Sequence, residues 1–151
     1  MNKIVVDTNI IFSALLNTNS RIGQLLIHSG EIFDFFAPEY LREEIFEHKA
    51  RLQVLIKQDD TGFLELYESI IRHVNIISGS LIDEKCWSIA KNLCQRVDKD
   101  DTEFVACTEL INGLLWTGDL KLINGLQRQG YDRCITTDAL FDKYTKNKKA
   151  Q

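Results

Sequence analysis

Proline is almost missing from this chain: Pro38 is the single one in 151 residues. No composition break resembling a linker divides the sequence, and its length suits one compact domain burying roughly 68–70% of the surface the unfolded chain would expose. Long apolar runs are missing too. None approaches the ~20 residues that span a bilayer, and Met1-Asn2-Lys3 leads directly into a short strand instead of a signal-peptide core. A cytoplasmic protein without membrane contact is the expectation. The four cysteines, Cys86, Cys94, Cys107 and Cys134, stand too far apart for a Cys-x-x-Cys motif, so buried free thiols are predicted instead of a zinc or redox site. No Gly-x-Gly-x-x-Gly follows a strand, which argues against dinucleotide binding. The three histidines, His28, His48 and His73, fall in helical patterns away from the strand ends, and none is assigned a catalytic role.

Also lacking is the excess of positive charge that marks many nucleic-acid binders: 18 basic residues against 22 acidic ones leave −4. The balance is uneven along the chain. Lys143, Lys146, Lys148 and Lys149 crowd the acid-free last nine residues, so residues 1–142 hold 14 basic and 22 acidic residues, or −8. Bound divalent cations would offset such a surplus of acids.

What the chain does have is apolar runs in alternation. Residues 3–6 read as a strand, and Thr8 or Asn9 can cap the helix that follows through Phe12, Leu15 and Leu16. A second helical pattern, Ile22, Leu25 and Leu26, is closed by Gly30; residues 32–37 form an apolar run of strand length, and Pro38 suits the first turn of the next helix. That helix should reach about Lys57, with a second over residues 61–73 and a strand over 74–77. Helices are predicted over 80–97 and 101–112, a strand over 114–117, a helix over 120–129 ended by Gly130, a short strand over 134–136 and a last helix over 139–146. Strands that are continuously apolar, alternating with helices, argue for a parallel sheet covered on both faces. The expected class is therefore a three-layer α/β sandwich with a central parallel sheet of about five strands. Residues 1–142 form the expected domain, and the lysine-rich end, residues 143–151, is expected to be mobile.

Acids sit at particular places in this pattern. Val5-Val6-Asp7 and Trp116-Thr117-Gly118-Asp119 each put an aspartate at the end of a buried strand, the edge at which open α/β sheets bind ligands. Glu43 and Glu44 cannot face the same way on a helix that turns ~100° per residue. Leu41, Ile45, His48, Leu52 and Leu55 define the apolar stripe, and Glu44 falls within about 70° of its centre. Glu44 thus points toward the body of the protein and needs a cation or donor there. In Asp98-Lys99-Asp100-Asp101-Thr102-Glu103, Asp101 lies three and seven residues before Phe104 and Thr108, on the side that should face the sheet. Asp100 is almost as well placed, and spacing does not separate the two. Each acid, taken alone, also reads as an ordinary helix cap or turn residue. Taken together they can converge at one sheet edge, where hard oxygen ligands suit Mg2+ or Mn2+ over zinc. Phosphodiester hydrolysis, which needs no side-chain nucleophile there, is the reaction class this predicts.

The order of Val5-Val6-Asp7-Thr8-Asn9, Leu41-Arg42-Glu43-Glu44-Ile45, Asp98-Lys99-Asp100-Asp101 before Phe104-Val105-Ala106, and Trp116-Thr117-Gly118-Asp119 resembles the PIN-domain ribonucleases over about residues 3–142. The resemblance implies a parallel-sheet α/β/α nuclease with an acidic cluster for Mg2+ or Mn2+ and an RNA substrate. Many bacterial and archaeal members are toxins, so it also implies an antitoxin protein as a partner. Matched position by position, it makes Asp7, Glu44, Asp101 and Asp119 the metal-binding and catalytic acids, and it decides for Asp101 over Asp100. Asn9 and Thr117 match polar residues that stand beside the family's site. Where many relatives carry a further Asp two residues on from the last acid, this chain has Lys121, which leaves one metal or two open. Lys99, Lys121 and Arg128 are the candidates for contact with substrate phosphates. Apolar residues on the helical pair from Leu52 to Tyr67 offer a surface for a second copy or another partner.

Rival readings are weaker. A haloacid-dehalogenase-like phosphatase would resemble Asp-x-Asp, and here the second position is Asn9, without a carboxylate for general acid work. A receiver domain would need an acidic pair before its phosphoacceptor strand, and Lys3-Ile4-Val5-Val6-Asp7 offers one acid. From another class, the alternative is a catalytically weak PIN-like module that binds RNA or a protein.

Overall fold

The structure, a computed structural model, describes residues 2–150. Five strands form one sheet: β1 (Asn2–Val6), β2 (Phe33–Pro38), β3 (Val74–Ile77), β4 (Leu114–Trp116) and β5 (Cys134–Ile135). All pair in parallel, in the order β3-β2-β1-β4-β5. The apolar runs explain this. Ile4, Val5 and Val6 of β1 point alternately to the two faces of the sheet, yet none is more than 1% exposed, so both faces are covered.

The connections are helical. Helices α1 (Thr8–Leu16) and α2 (Arg21–His28) lead from β1 to β2; α3 (Tyr40–Glu47), α4 (Lys49–Ile56) and α5 (Asp60–Ile71) lead from β2 to β3. The chain then crosses back to the far side of β1 through α6 (Glu84–Cys94) and α7 (Thr102–Ile111), and α8 (Leu120–Gln127) joins β4 to β5 before α9 (Thr137–Lys149). Right-handed crossovers that reverse direction put their helices on opposite faces. Accordingly α7 lies against β1, β2 and β4 and packs on α6, whereas α1, α2, α4, α5 and α9 pack among themselves. This is the three-layer α/β sandwich with five parallel strands that the sequence predicts. The reversal falls between β1 and β4, and in open α/β sheets ligands bind beyond the carboxyl ends of the strands at such a point.

Several local expectations are corrected. Pro38 ends β2, beside Ile77 of β3, instead of opening a helix. It is tolerated because β1 pairs with β2 only as far as Phe36, so no ladder bond needs the missing N–H. The single long helix after it is two, broken at His48 (φ −102°, ψ 11°). Leu41, Ile45 and Leu52 stay buried across the break, while Leu55 and Val54 turn outward, 55% and 76% exposed. The helix expected over 80–97 opens as a separate 3-10 turn, Gly79–Leu81, after which Asp83 caps α6. Asn112, in the left-handed conformation at φ 53°, ends α7, and Gly113 follows for room: a Cβ there would lie 2.5 Å from the Lys3 carbonyl oxygen. Helix α9 continues to Lys149, through most of the lysine-rich end. The four cysteines are free; Cys94 and Cys107 are buried, Cys86 and Cys134 half-buried. Among the described residues no helix is long and apolar enough to cross a membrane.

Candidate active site

β1 and β4 end side by side, and the ladder runs one residue further than the strands: the Asp7 N–H donates to the Trp116 carbonyl at 3.1 Å. Asp7 thus leaves the sheet beside Thr117. The Thr117 hydroxyl donates to Asp7 Oδ2 at 2.7 Å and accepts from the Asp119 N–H at 3.1 Å. Asp7 is 5% exposed and Thr117 fully buried. Asp119, half-buried, uses Oδ1 to cap α8 through the Leu122 N–H at 3.1 Å.

Glu44 and Asp101 come from helices. Glu44 is half-buried in α3 while Glu43 is exposed, and Glu44 Oε1 accepts from the Thr8 hydroxyl at 2.8 Å. Asp101 ends a 3-10 turn, Lys99–Asp101, and sits at the N-cap position of α7 without capping it. Asp98 serves that turn instead, accepting the Asp100 N–H at 2.9 Å. Asp100 is exposed and Asp101 half-buried, a difference that residue spacing does not reveal.

The electrostatics tie the four acids together. Burial raises the Asp7 carboxyl above its ordinary range; the Thr117 hydroxyl and the N–H groups of Thr8 and Asn9 oppose this, and Asp119 adds to it. Glu44 is raised by burial, opposed by the Thr8 hydroxyl and reinforced by Asp7 and Asp100. Asp101 is pushed up to about 8, first by burial and then by Asp7, Asp98, Asp119 and Glu44. These are like charges gathered out of water, a situation that favours protonation or a bound cation.

Among the described residues no basic side chain pairs with these acids. The ion pairs among the described residues are Arg21–Asp138, Lys49–Asp60, Arg133–Glu109 and Lys146–Asp142, none of which involves the four acids. Asp7, Glu44 and Asp119 each commit one oxygen to a protein donor, and no side-chain donor among the described residues engages the other. An all-carboxylate donor set without basic partners fits a hard divalent cation in its chemistry. Among the described residues, no three His, Cys, Asp or Glu side chains are already drawn together closely enough to hold an ion.

The other predicted residues lie further out. Asn9 is exposed on α1, Lys99 is exposed in the 3-10 turn before Asp101, and Lys121 is exposed in the first turn of α8. Arg128 sits at the far end of α8, about 13 Å along the axis from Asp119 at 1.5 Å per residue. Sequence reasoning missed Thr8, which it took for a helix cap. Asp7 holds the N-cap position instead, and Thr8 is buried in line with Ile11 and Leu15. That spacing of three and seven was the available signal that Thr8 faces inward.

A parallel α/β sandwich of this order, with acids at its topological switch point, belongs to the class of open α/β folds that bind ligands beyond the carboxyl ends of their strands. More narrowly, the family model described as PIN domain matches residues 5–139, and the chain belongs to the PIN-domain family, whose members are generally nucleases using divalent ions. No curated protein matches. Eleven solved chains do, among them one from the crystal structure of VapBC2 from Rickettsia felis bound to a DNA fragment from their promoter. It is 12% identical, with a TM-score of 0.67, and the match covers 89% of this chain and 98% of that one. At that identity the likeness is one of fold.

Proposed function

We propose that this chain is a metal-dependent endoribonuclease that uses Mg2+ or Mn2+ held by Asp7, Glu44, Asp101 and Asp119. What supports the reading is that four carboxylates from four elements act on one another at the carboxyl edge of the sheet, three of them raised by burial and by their neighbours, with no ion-pair partner among the described residues. A divalent ion there would polarise a phosphoryl oxygen and lower the pKa of an attacking water. The chain's own part is to hold that charge in place: Thr117 orients Asp7, and the N-cap bond of Asp119 fixes its carboxylate at the start of α8. Water then adds across a P–O bond of the RNA backbone, with no protein nucleophile consumed.

Exposed Lys99 and Lys121, on either side of the crevice in sequence, are the proposed phosphate contacts; Arg128 would meet only a longer substrate. Residues 1–142 form the nuclease domain on this reading. The lysines of residues 143–151 lie toward the far end of α9 from the site, with Lys146 about 13 Å along the axis from Thr137. Because one of the solved chains similar in fold comes from a VapBC2 assembly, the chain is further proposed to be the toxin of a toxin–antitoxin pair acting in the cytoplasm. Exposed Phe46, Val54, Leu55 and Leu64 offer apolar surface for an antitoxin or a second copy.

The test is incubation of the purified protein with single-stranded and structured RNA, with Mn2+ or Mg2+ and with chelator, beside Asp7→Asn. Cleavage should require the ion and fall by about 100-fold or more in the variant. Cleavage that survives chelator or Asp7→Asn overturns the mechanism. Ion binding and RNA binding without cleavage would favour the weakly catalytic module.

A further inference from the structure

Thr8 is 4% exposed in the first turn of α1, a place where valine would fill the same space with no polar atom to satisfy. Its hydroxyl instead donates to Glu44 Oε1 at 2.8 Å, joining residues 36 apart in sequence. One turn further along, Phe12 of α1 meets His48 at the end of α3 edge-on, with ring centroids 5.6 Å apart and planes at 86°. Thr8 and Phe12 are four residues apart, as are Glu44 and His48, so two matched pairs lace α1 to α3 at successive turns. A helix held at two turns cannot roll about its axis. Roll is what decides whether Glu43 or Glu44 faces the other acids.

The type of donor matters as well as its position. A lysine or arginine at this place would neutralise Glu44 and compete with a cation for it. A hydroxyl holds one oxygen by a single bond while leaving the carboxylate charged and its second oxygen available. Thr117 stands to Asp7 in the same relation, also fully buried and also bonded to one oxygen only. We infer that Thr8 is a positioning residue of the metal site, acting through its hydrogen bond to Glu44 Oε1. This rests on the metal-dependent reading proposed above.

The test is calorimetric titration of Mn2+ into the full chain, with circular dichroism confirming the fold of each variant. Thr8→Val weakens Mn2+ binding by tenfold or more, and Thr8→Ser, which keeps the hydroxyl, stays within about threefold of wild type. In a Glu44→Gln background, Thr8→Val has no further effect. Thr8→Ala carries the same expectations where valine disturbs the packing. Wild-type affinity in both Thr8→Val and Thr8→Ala overturns the inference while leaving the metal site intact. So does an undiminished effect of Thr8→Val in the Glu44→Gln background. A wild-type chain that binds no Mn2+ overturns the functional reading and this inference with it.

Discussion

Asp83 and Asp7 occupy the same position in two different helices, and they do opposite things. Asp83 stands before α6 with φ −73° and ψ 164°, Asp7 before α1 with φ −71° and ψ 152°. Asp83 caps, accepting the Cys86 N–H at 2.9 Å, and its carboxyl is held below the ordinary range by that bond. Asp7 has the backbone of a cap, but its carboxylate is drawn across to Thr117 at 2.7 Å; the N–H groups of Thr8 and Asn9 only partly offset the rise that burial gives it. The same contrast separates Asp59, which caps α5 through the Gly62 N–H at 2.8 Å, from Asp101, which opens α7 without capping it. Helix starts on the outside of the molecule use their aspartates for the helix. Of those at the carboxyl edge, Asp7 turns to Thr117 and Asp101 caps nothing, while Asp119 caps α8 with Oδ1.

The sharpest way to break this comparison is to neutralise one member of each kind. Asp101→Asn should lower RNA cleavage by about 100-fold or more. Asp59→Ala should leave cleavage within about twofold and cost only the cap, lowering the melting temperature by about 2–4 °C. Equal effects of the two on cleavage would erase the distinction.

Proton linkage gives a second contrast. The folded Asp101 carboxyl, at about 8, lies above its unfolded value, so its protonated form favours the fold. That contribution is full below about pH 4 and is lost as pH rises to 8. Asp83, held low, has the opposite sign: its contribution is present above the unfolded value and lost as pH falls through the folded one. In chelator, the melting temperature should therefore fall between pH 5 and 8 and level off above, with much of the slope removed by Asp101→Asn or by Mn2+. A melting temperature that climbs over that range in chelator would contradict the assignment. The smallest effect is expected around the site: Lys121→Ala should reduce the salt dependence of RNA binding by about one unit of slope, and Arg128→Ala by less. Identical slopes for Lys121→Ala and wild type would retire the phosphate contact.

The sheet was legible in the sequence because its central strands are buried on both faces, and a run such as Ile4-Val5-Val6 has no other way to satisfy its pattern. The inward turn of Glu44 and the outward turn of Glu43 were legible for a similar reason, since helical periodicity fixes direction. Three things were not. The break at His48 leaves the apolar stripe continuous and carries no glycine or proline to mark it. The strand position of Pro38 depends on where β1 stops pairing, which is a fact about another segment. The role of Thr8 depends on a partner 36 residues away, whereas propensity sees only a hydroxyl near a helix start. Spacing left Asp100 and Asp101 level, and in the fold Asp100 is exposed while Asp101 is half-buried.

The bond between Thr117 and Asp7 spans 110 residues, joining the first strand to the fourth. A ribosome has therefore made three quarters of this chain before the first acid has its hydroxyl partner, and Asp119 follows two residues later. Non-local pairing of this kind is slow to form. The edge of the sheet that gathers the acids is therefore among the last parts of the fold that synthesis can complete.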